Sequence, residues 1–244
     1  MIRMNVSHIL PFVVLLVTLT SCSRKYKIDG NSSITSLDGK QLFLRTLQGG
    51  QWKTIDSAEV VHGLFSMEGP LDSVMMVTLY MDDEGIMPLI LEKGKVTVTI
   101  SNSQLEAKGT PLNDALYEFI DKRNAMEVKL DELDRKEARM VLDGANLEEV
   151  RAQLSKEAET LVDEMNTYVK GFITDNYENV LGPSVFMMLC STLPYPIMTP
   201  QIEDIMRTAP MTFKDNAFVK DFLSKAKENM KLIEEHQKLE ENRK

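Results

Sequence analysis

Val96-Thr97-Val98-Thr99-Ile100 is followed, after a polar interval, by Gly109-Thr110-Pro111-Leu112-Asn113-Asp114-Ala115-Leu116-Tyr117-Glu118-Phe119-Ile120. The first run alternates apolar residues with threonine, the period of a half-buried strand. The second places Leu112, Ala115, Leu116, Phe119 and Ile120 on one face of a helix. The repeat thus changes from about 2 to about 3.6 residues across Gly109-Thr110-Pro111. The chain divides there, into a β domain over 26–110 and a helical domain over 111–244. The expected fold class is α+β, an antiparallel β-sandwich or barrel-like domain followed by an all-α helical-hairpin domain.

Upstream of that change the chain reads as short antiparallel strands. Gln41 to Leu47 alternates through Leu42 and Leu44, and Trp52 to Val61 alternates in part. His62-Gly63, ahead of Leu64-Phe65, has the form of a two-residue hairpin turn. Val74 to Met81 and Ile86 to Glu92 flank an acidic tip at Asp82-Asp83-Glu84-Gly85, and Lys93-Gly94 turns the chain into the Val96 run. Several strands without intervening helices favour a sandwich or barrel over a parallel sheet.

Downstream, the helical pattern runs through Met126, Leu130 and Leu133 toward Val141 and breaks at Asp143-Gly144-Ala145. Asn146, with Glu149 three residues on, has the type and spacing of an N-cap. Leu147, Val150, Leu154, Ala158, Leu161, Val162, Met165, Val169, Phe172 and Ile173 give a second amphipathic helix, antiparallel to the first. Pro183, Thr199-Pro200 and Ala209-Pro210 mark shorter helices. A final helix from about Asp215 carries Phe218, Phe222, Ala226 and Met230 on its apolar side, and its Lys- and Glu-rich end is expected to fray.

The amino terminus has the three-part form of a secretory signal over 1–21: Arg3, an apolar run from Ile9 to Leu19, then small residues before Cys22. That run is shorter than the ~20 residues a membrane-spanning helix needs. Leu19-Thr20-Ser21-Cys22 resembles the lipobox of bacterial lipoproteins, in which the cysteine receives a diacylglycerol and becomes the acylated amino terminus. The resemblance implies lipidation at Cys22 and a tether of residues 22–25. Ser23 beside it resembles the outer-membrane sorting pattern, with the periplasmic face as the default. Two or more acyl chains anchor stably, at about 0.8 kcal/mol per buried CH₂.

At 244 residues, 43% hydrophobic and 27% charged, the composition is that of a globular protein of one large or two modest domains. A net charge of −9 argues against nucleic acid as a partner. With Cys22 given to lipid, Cys190 stands alone within Val185-Phe186-Met187-Met188-Leu189-Cys190 and reads first as a buried small hydrophobe, with a reactive or intermolecular thiol as the second reading. The three histidines, His8, His62 and His236, fall in the signal, a turn and the terminal helix, so no catalytic or zinc constellation converges. Met187, Met188, Cys190 and Met198 are the densest group of soft ligands, the kind that suits Cu(I). Core packing is the preferred reading, because methionine fills irregular interiors. Asp82, Asp83 and Glu84 lack the alternating spacing of a calcium loop and read as a solvated tip. No catalytic, cofactor or metal residue is assigned.

Ile55-Asp56-Ser57, His62-Gly63-Leu64-Phe65, Gly69, Leu91-Glu92-Lys93-Gly94 and Gly109-Thr110-Pro111-Leu112-Asn113 carry a further likeness. The region from Tyr26 to Asn113 resembles the domain of unknown function at the amino terminus of lipid-anchored thioredoxin-like or peroxidase-like proteins of Gram-negative bacteria. In that family a β-rich module and a helical segment precede a thioredoxin fold with the redox cysteines. This sequence ends at Lys244 and contains no Cys-x-x-Cys, so redox activity does not carry over. The expected function is a non-catalytic binding or interaction module of the cell envelope, held to the membrane by its lipid. The alternative is an accessory to a thiol-disulfide system that partners a separate thioredoxin-like protein.

Overall fold

The computed structural model describes residues 25–49 and 51–241. Eight strands come first: β1 (Lys25–Ser32), β2 (Gln41–Gln48), β3 (Gln51–Glu59), β4 (Leu64–Pro70), β5 (Met75–Met81), β6 (Glu84–Leu91), β7 (Gly94–Ile100) and β8 (Leu105–Lys108). They form two four-stranded sheets, ordered β4-β1-β7-β8 and β3-β2-β5-β6, facing each other as a sandwich rather than closing as a barrel. Tyr26, Ile28, Phe65, Met67, Val96, Val98 and Ile100 from one sheet are buried, as are Leu42, Leu44, Val77, Leu79, Leu89 and Leu91 from the other. The alternation seen in the sequence is the alternation between this core and solvent.

His62 and Gly63 make the hairpin turn between β3 and β4, with φ of 52° and 74°. Two consecutive positive φ values match the turn whose twist suits a tight hairpin. A Cβ on Gly63 would lie 2.5 Å from the Ser32 carbonyl oxygen, so space as well as backbone demands glycine there.

One strand pair departs from the antiparallel expectation. β1 runs parallel to β7, with Ile28 opposite Val96 and Gly30 opposite Val98. A parallel neighbour needs a long crossover, and here the whole of β2 to β6 supplies it. The acidic tip is also shorter than expected. Asp82 and Asp83 alone form the turn, Asp82 with φ 53°, while Glu84 and Gly85 already pair in β6.

Six helices follow: α1 (Pro111–Leu142), α2 (Leu147–Asp175), α3 (Leu181–Ser191), α4 (Pro200–Thr208), α5 (Met211–Lys214) and α6 (Ala217–Glu241). Asn146 caps α2 through Glu148 N–H and Glu149 N–H, and Thr199 caps α4 through Ile202 N–H, as their sequence positions predict. The end of α6 stays helical to Glu241 where fraying was expected. Its Glu, Lys, Leu and Gln are good helix formers, and Lys238 in the last turn complements the dipole.

Among the described residues no helix is long and apolar enough to cross a membrane. At ~1.5 Å per residue, α1 is about 48 Å long and α2 about 44 Å. Only their proximal halves meet the rest of the protein. Asn113, Leu116, Tyr117 and Phe119 of α1, and Val169 and Ile173 of α2, are buried. Beyond them the two helices pack on each other, along a seam of Met126, Leu130, Leu133 and Met140 on α1, all half-buried, and Val150, Leu154 and Leu161 on α2. The 4-3 spacing of this seam is that of a two-stranded coiled coil.

Candidate functional site

The joint between the sandwich and the helical region is built from the turn residues of the family-like motifs. The first N–H groups of α1 have no partner within the helix, and Pro111 at the start removes one of them. The Glu92 carboxylate takes two of the others, accepting from Leu112 N–H at 2.8 Å and Asn113 N–H at 3.2 Å. Asn113, 0% exposed, accepts from Ile90 N–H at 2.9 Å and donates to the Ile90 carbonyl at 2.8 Å and to Thr110 Oγ1 at 2.9 Å. It serves the edge of β6 as another strand would. Tyr117 donates to the Pro88 carbonyl at 2.9 Å, fastening the next turn of α1 to the same edge. Burial, and then the nearby Asp121 and Glu106 carboxylates, hold its phenol well above the ordinary range. The polar groups of this joint are spent on one another, so it clamps α1 to the edge of β6.

Three surfaces remain open around it. At the end of the sandwich a cleft of about 680 Å³ lies between the sheets and α1, with Ile34, Ile86, Ile100 and Ile120 inside and Ser103 and Asn124 at its rim. On the outer face of the second sheet, the Arg45 guanidinium sits 5.1 Å from the Phe43 ring centre and 5.0 Å from that of Tyr80, with Trp52 edge-on to Tyr80 at 5.4 Å. Trp52 is 57% exposed. This patch runs into a groove of about 320 Å³ bounded by Met76 of β5, Met187 and Met188 of α3, and Phe218 of α6. The third surface is the arm of α1 and α2. Val141 and Leu147 are exposed at its tip and Leu142 is 86% exposed, while Lys136–Glu157 (2.7 Å) and Arg151–Glu137 (2.9 Å) pair across its seam.

Cys22 lies outside the described residues. Cys190 is buried in α3, and burial pushes its thiol up to about 12. Met187, Met188 and Met198 are half-buried and pack against the same hydrophobic core as Cys190, the arrangement that the core-packing reading requires. His62 is exposed in its turn and His236 is exposed on α6. Asp83 points to solvent and pairs with Arg45 at 3.3 Å. Among the described residues no three His, Cys, Asp or Glu side chains are grouped so as to hold a metal ion.

Residues 26–116 match the family model of a domain of unknown function, DUF4369. The match covers β1 to β8 and the first turns of α1, and so includes the Glu92–Asn113 clamp. No curated protein matches the chain. The Arg45–Tyr80–Trp52 patch was missed in the sequence. Its signal was the outward half of the β2 alternation, Phe43 and Arg45, whose partner Tyr80 becomes visible only with the β2–β5 register.

Proposed function

We propose that this chain is a lipid-anchored envelope protein that acts as a non-catalytic interaction module, attached through Cys22 and presenting the α1–α2 arm to a protein partner. The observation that carries the reading is the arm itself. A narrow coiled-coil hairpin, clamped at its root and ending in exposed Val141, Leu142 and Leu147, leaves apolar surface at the point furthest from the sandwich. Exposed apolar groups rimmed by charge are a common form of contact surface. The tether of 22–25 spans at most ~14 Å, at ~3.6 Å per residue, which would keep the sandwich close to the bilayer. A disulfide-linked redox accessory is disfavoured, because thiolate is the reactive form and burial of Cys190 opposes it.

Two measurements test the proposal. Cys22→Ala should accumulate as a full-length, unlipidated precursor in the aqueous phase after detergent partitioning; normal processing of that variant sinks the anchor. A photocrosslinking residue placed at position 142 in cells should give one discrete adduct that the same residue at position 53, on the sandwich, does not. Equal patterns from the two positions defeat the arm as the contact.

A further inference from the structure

The strand pairings place the start of β1 and the start of α1 at one end of the molecule. Lys25 lies opposite Pro70 and Tyr26 opposite Gly94, so the end of β4 and the turn at Lys93 flank the point where the described chain begins. A Cβ on Gly94 would come within 2.9 Å of Thr110 Cγ2, which puts the residue before α1 against that same end. From there α1 runs antiparallel to β6. Asn113 bonds Ile90 and Tyr117 bonds Pro88, while Ile120 and Asn124 reach the cleft at the far end of the sandwich with Ile86 and Ser103. The helix is unbroken to Leu142, so its stretch from 125 onward extends about 27 Å beyond the sandwich, and Leu142 stands about 43 Å from Asn113. The tether leaves one end, and the apolar tip of the arm lies past the other.

Given the lipid anchor proposed at Cys22, on which this orientation rests, we infer that the protein stands upright on the bilayer, with the Lys25 end of the sandwich against the headgroups and the arm as a spacer. Val141, Leu142 and Leu147 are then held about 43 Å into the aqueous space, and the partner is a protein met there, not one embedded beside the anchor. The tether of 22–25 spans at most ~14 Å, about half the ~26 Å length of β1, so the molecule cannot invert to bring its tip to the anchoring surface. Lying flat is the other arrangement, and the surface of the arm opposes it. A helix that rests in the interface needs an apolar face to bury there. On α1 the apolar residues Met126, Leu130, Leu133 and Met140 are half-buried in the seam, whereas Asp131, Glu132, Asp134, Arg135 and Arg139 are exposed. The net charge of −9 adds repulsion from an anionic leaflet, which is least when the long axis points away from it.

Energy transfer from a fluorescent non-canonical residue to acceptor dyes on lipid headgroups tests the orientation. The protein is purified from cells in detergent and reconstituted into vesicles of phosphatidylethanolamine and phosphatidylglycerol. Position 93 lies in the turn beside the tether, 103 at the far end of the sandwich and 142 at the arm tip, and all three side chains are exposed, so their replacement leaves the fold intact. Transfer should fall in the order 93, 103, 142, and should be at least about tenfold weaker at 142 than at 93, given the ~43 Å along α1. In cells, a photocrosslinking residue at 93 should form lipid adducts, and the same residue at 142 should form none. Comparable transfer from 93 and 142, or lipid adducts at 142, overturns the upright orientation. Mass measurement of the same preparation separates that failure from failure of the anchor. An unmodified Cys22 removes the anchor and the orientation together, whereas an acylated chain whose tip lies at the headgroups removes the orientation alone.

Discussion

In the sandwich, Leu44 and Leu79 are covered on every side and fully buried, whereas in the distal arm the best-enclosed residues, Val150 and Leu154, have one facing helix to cover them. Each fully buried aliphatic side chain stabilises by about 1.5–3 kcal/mol, and the sandwich has many such residues where the outer arm has few. The sandwich is also tied by ladders between strands far apart in sequence, so its parts open together. Arm contacts are local to a hairpin and can be lost from the tip inward. The stable half is therefore a platform, and the mobile half is the one suited to adapt to a partner. Native-state hydrogen exchange gives the sharpest test of that contrast. Amides between about 128 and 160 should exchange about a thousandfold faster than those of β2, β5 and β7, a difference of about 4 kcal/mol in opening free energy. Equal protection in the two regions would remove the distinction.

The clamp sets where one behaviour gives way to the other. Asn113→Ala strands the Ile90 N–H, the Ile90 carbonyl and the Thr110 hydroxyl without their side-chain partner. At about 1–3 kcal/mol for a buried polar group left unpaired, partly relieved by relaxation, the expected destabilisation is about 3 kcal/mol in urea unfolding. The exposed neighbour Asp114 accepts a single bond, from Gly109 N–H at 2.8 Å, and Asp114→Ala should cost under about 1 kcal/mol. A similar loss from both variants would mean that the sandwich and the helical region are joined by packing alone.

Leu133 lies halfway along the seam, half-buried. Leu133→Ala should cost about 1 kcal/mol, below the ~2–5 of a fully buried leucine. The loss should appear as faster exchange in the arm, with the protection of β2 and β5 unchanged. If the sandwich strands lose protection equally, the arm and the platform unfold as one unit.

The two periods of the sequence made the division at Gly109-Thr110-Pro111 legible, because a buried face repeats differently in a strand and in a helix. The caps at Asn146 and Thr199 and the turn at His62-Gly63 were legible for a similar reason: each is decided by a few neighbouring residues. The parallel β1–β7 pair was not, since nothing in Ile28 or Val96 names a partner so distant in sequence. The same limit hid the Arg45–Tyr80 stack, which joins separate elements. Glu92 and Asn113 were visible as parts of a family-like motif, but their shared role at the joint required the contact between β6 and α1. Only the outward extension of the arm was half-readable: its seam residues lie at heptad spacing, while the absence of a third helix against its distal half is a fact of the fold.

The smallest expected effect concerns charge along the arm. Lys136, through its hydrogen bond and with help from Gln153, holds the Glu157 carboxyl below the ordinary carboxylate range, although burial pulls slightly the other way. A carboxyl whose folded pKa is depressed adds stability above its unfolded pKa and loses it as pH falls through the folded value. The arm should therefore fray slightly more on acidification through that range, seen as faster exchange around 136 and 157 after correction for intrinsic rates. Glu157→Gln should flatten this local dependence, and added salt should blunt it, because the pair is open to solvent. The sandwich offers the control within the same molecule. Among the described residues the sandwich has a comparable carboxyl in Asp29, which Lys95 and then Ser66 hold low, but all three lie in the other sheet, so β2 and β5 should hold their protection across the interval in which the arm loosens. A decline of equal size in those strands would trace the pH response to the whole fold instead of to the Lys136–Glu157 pair.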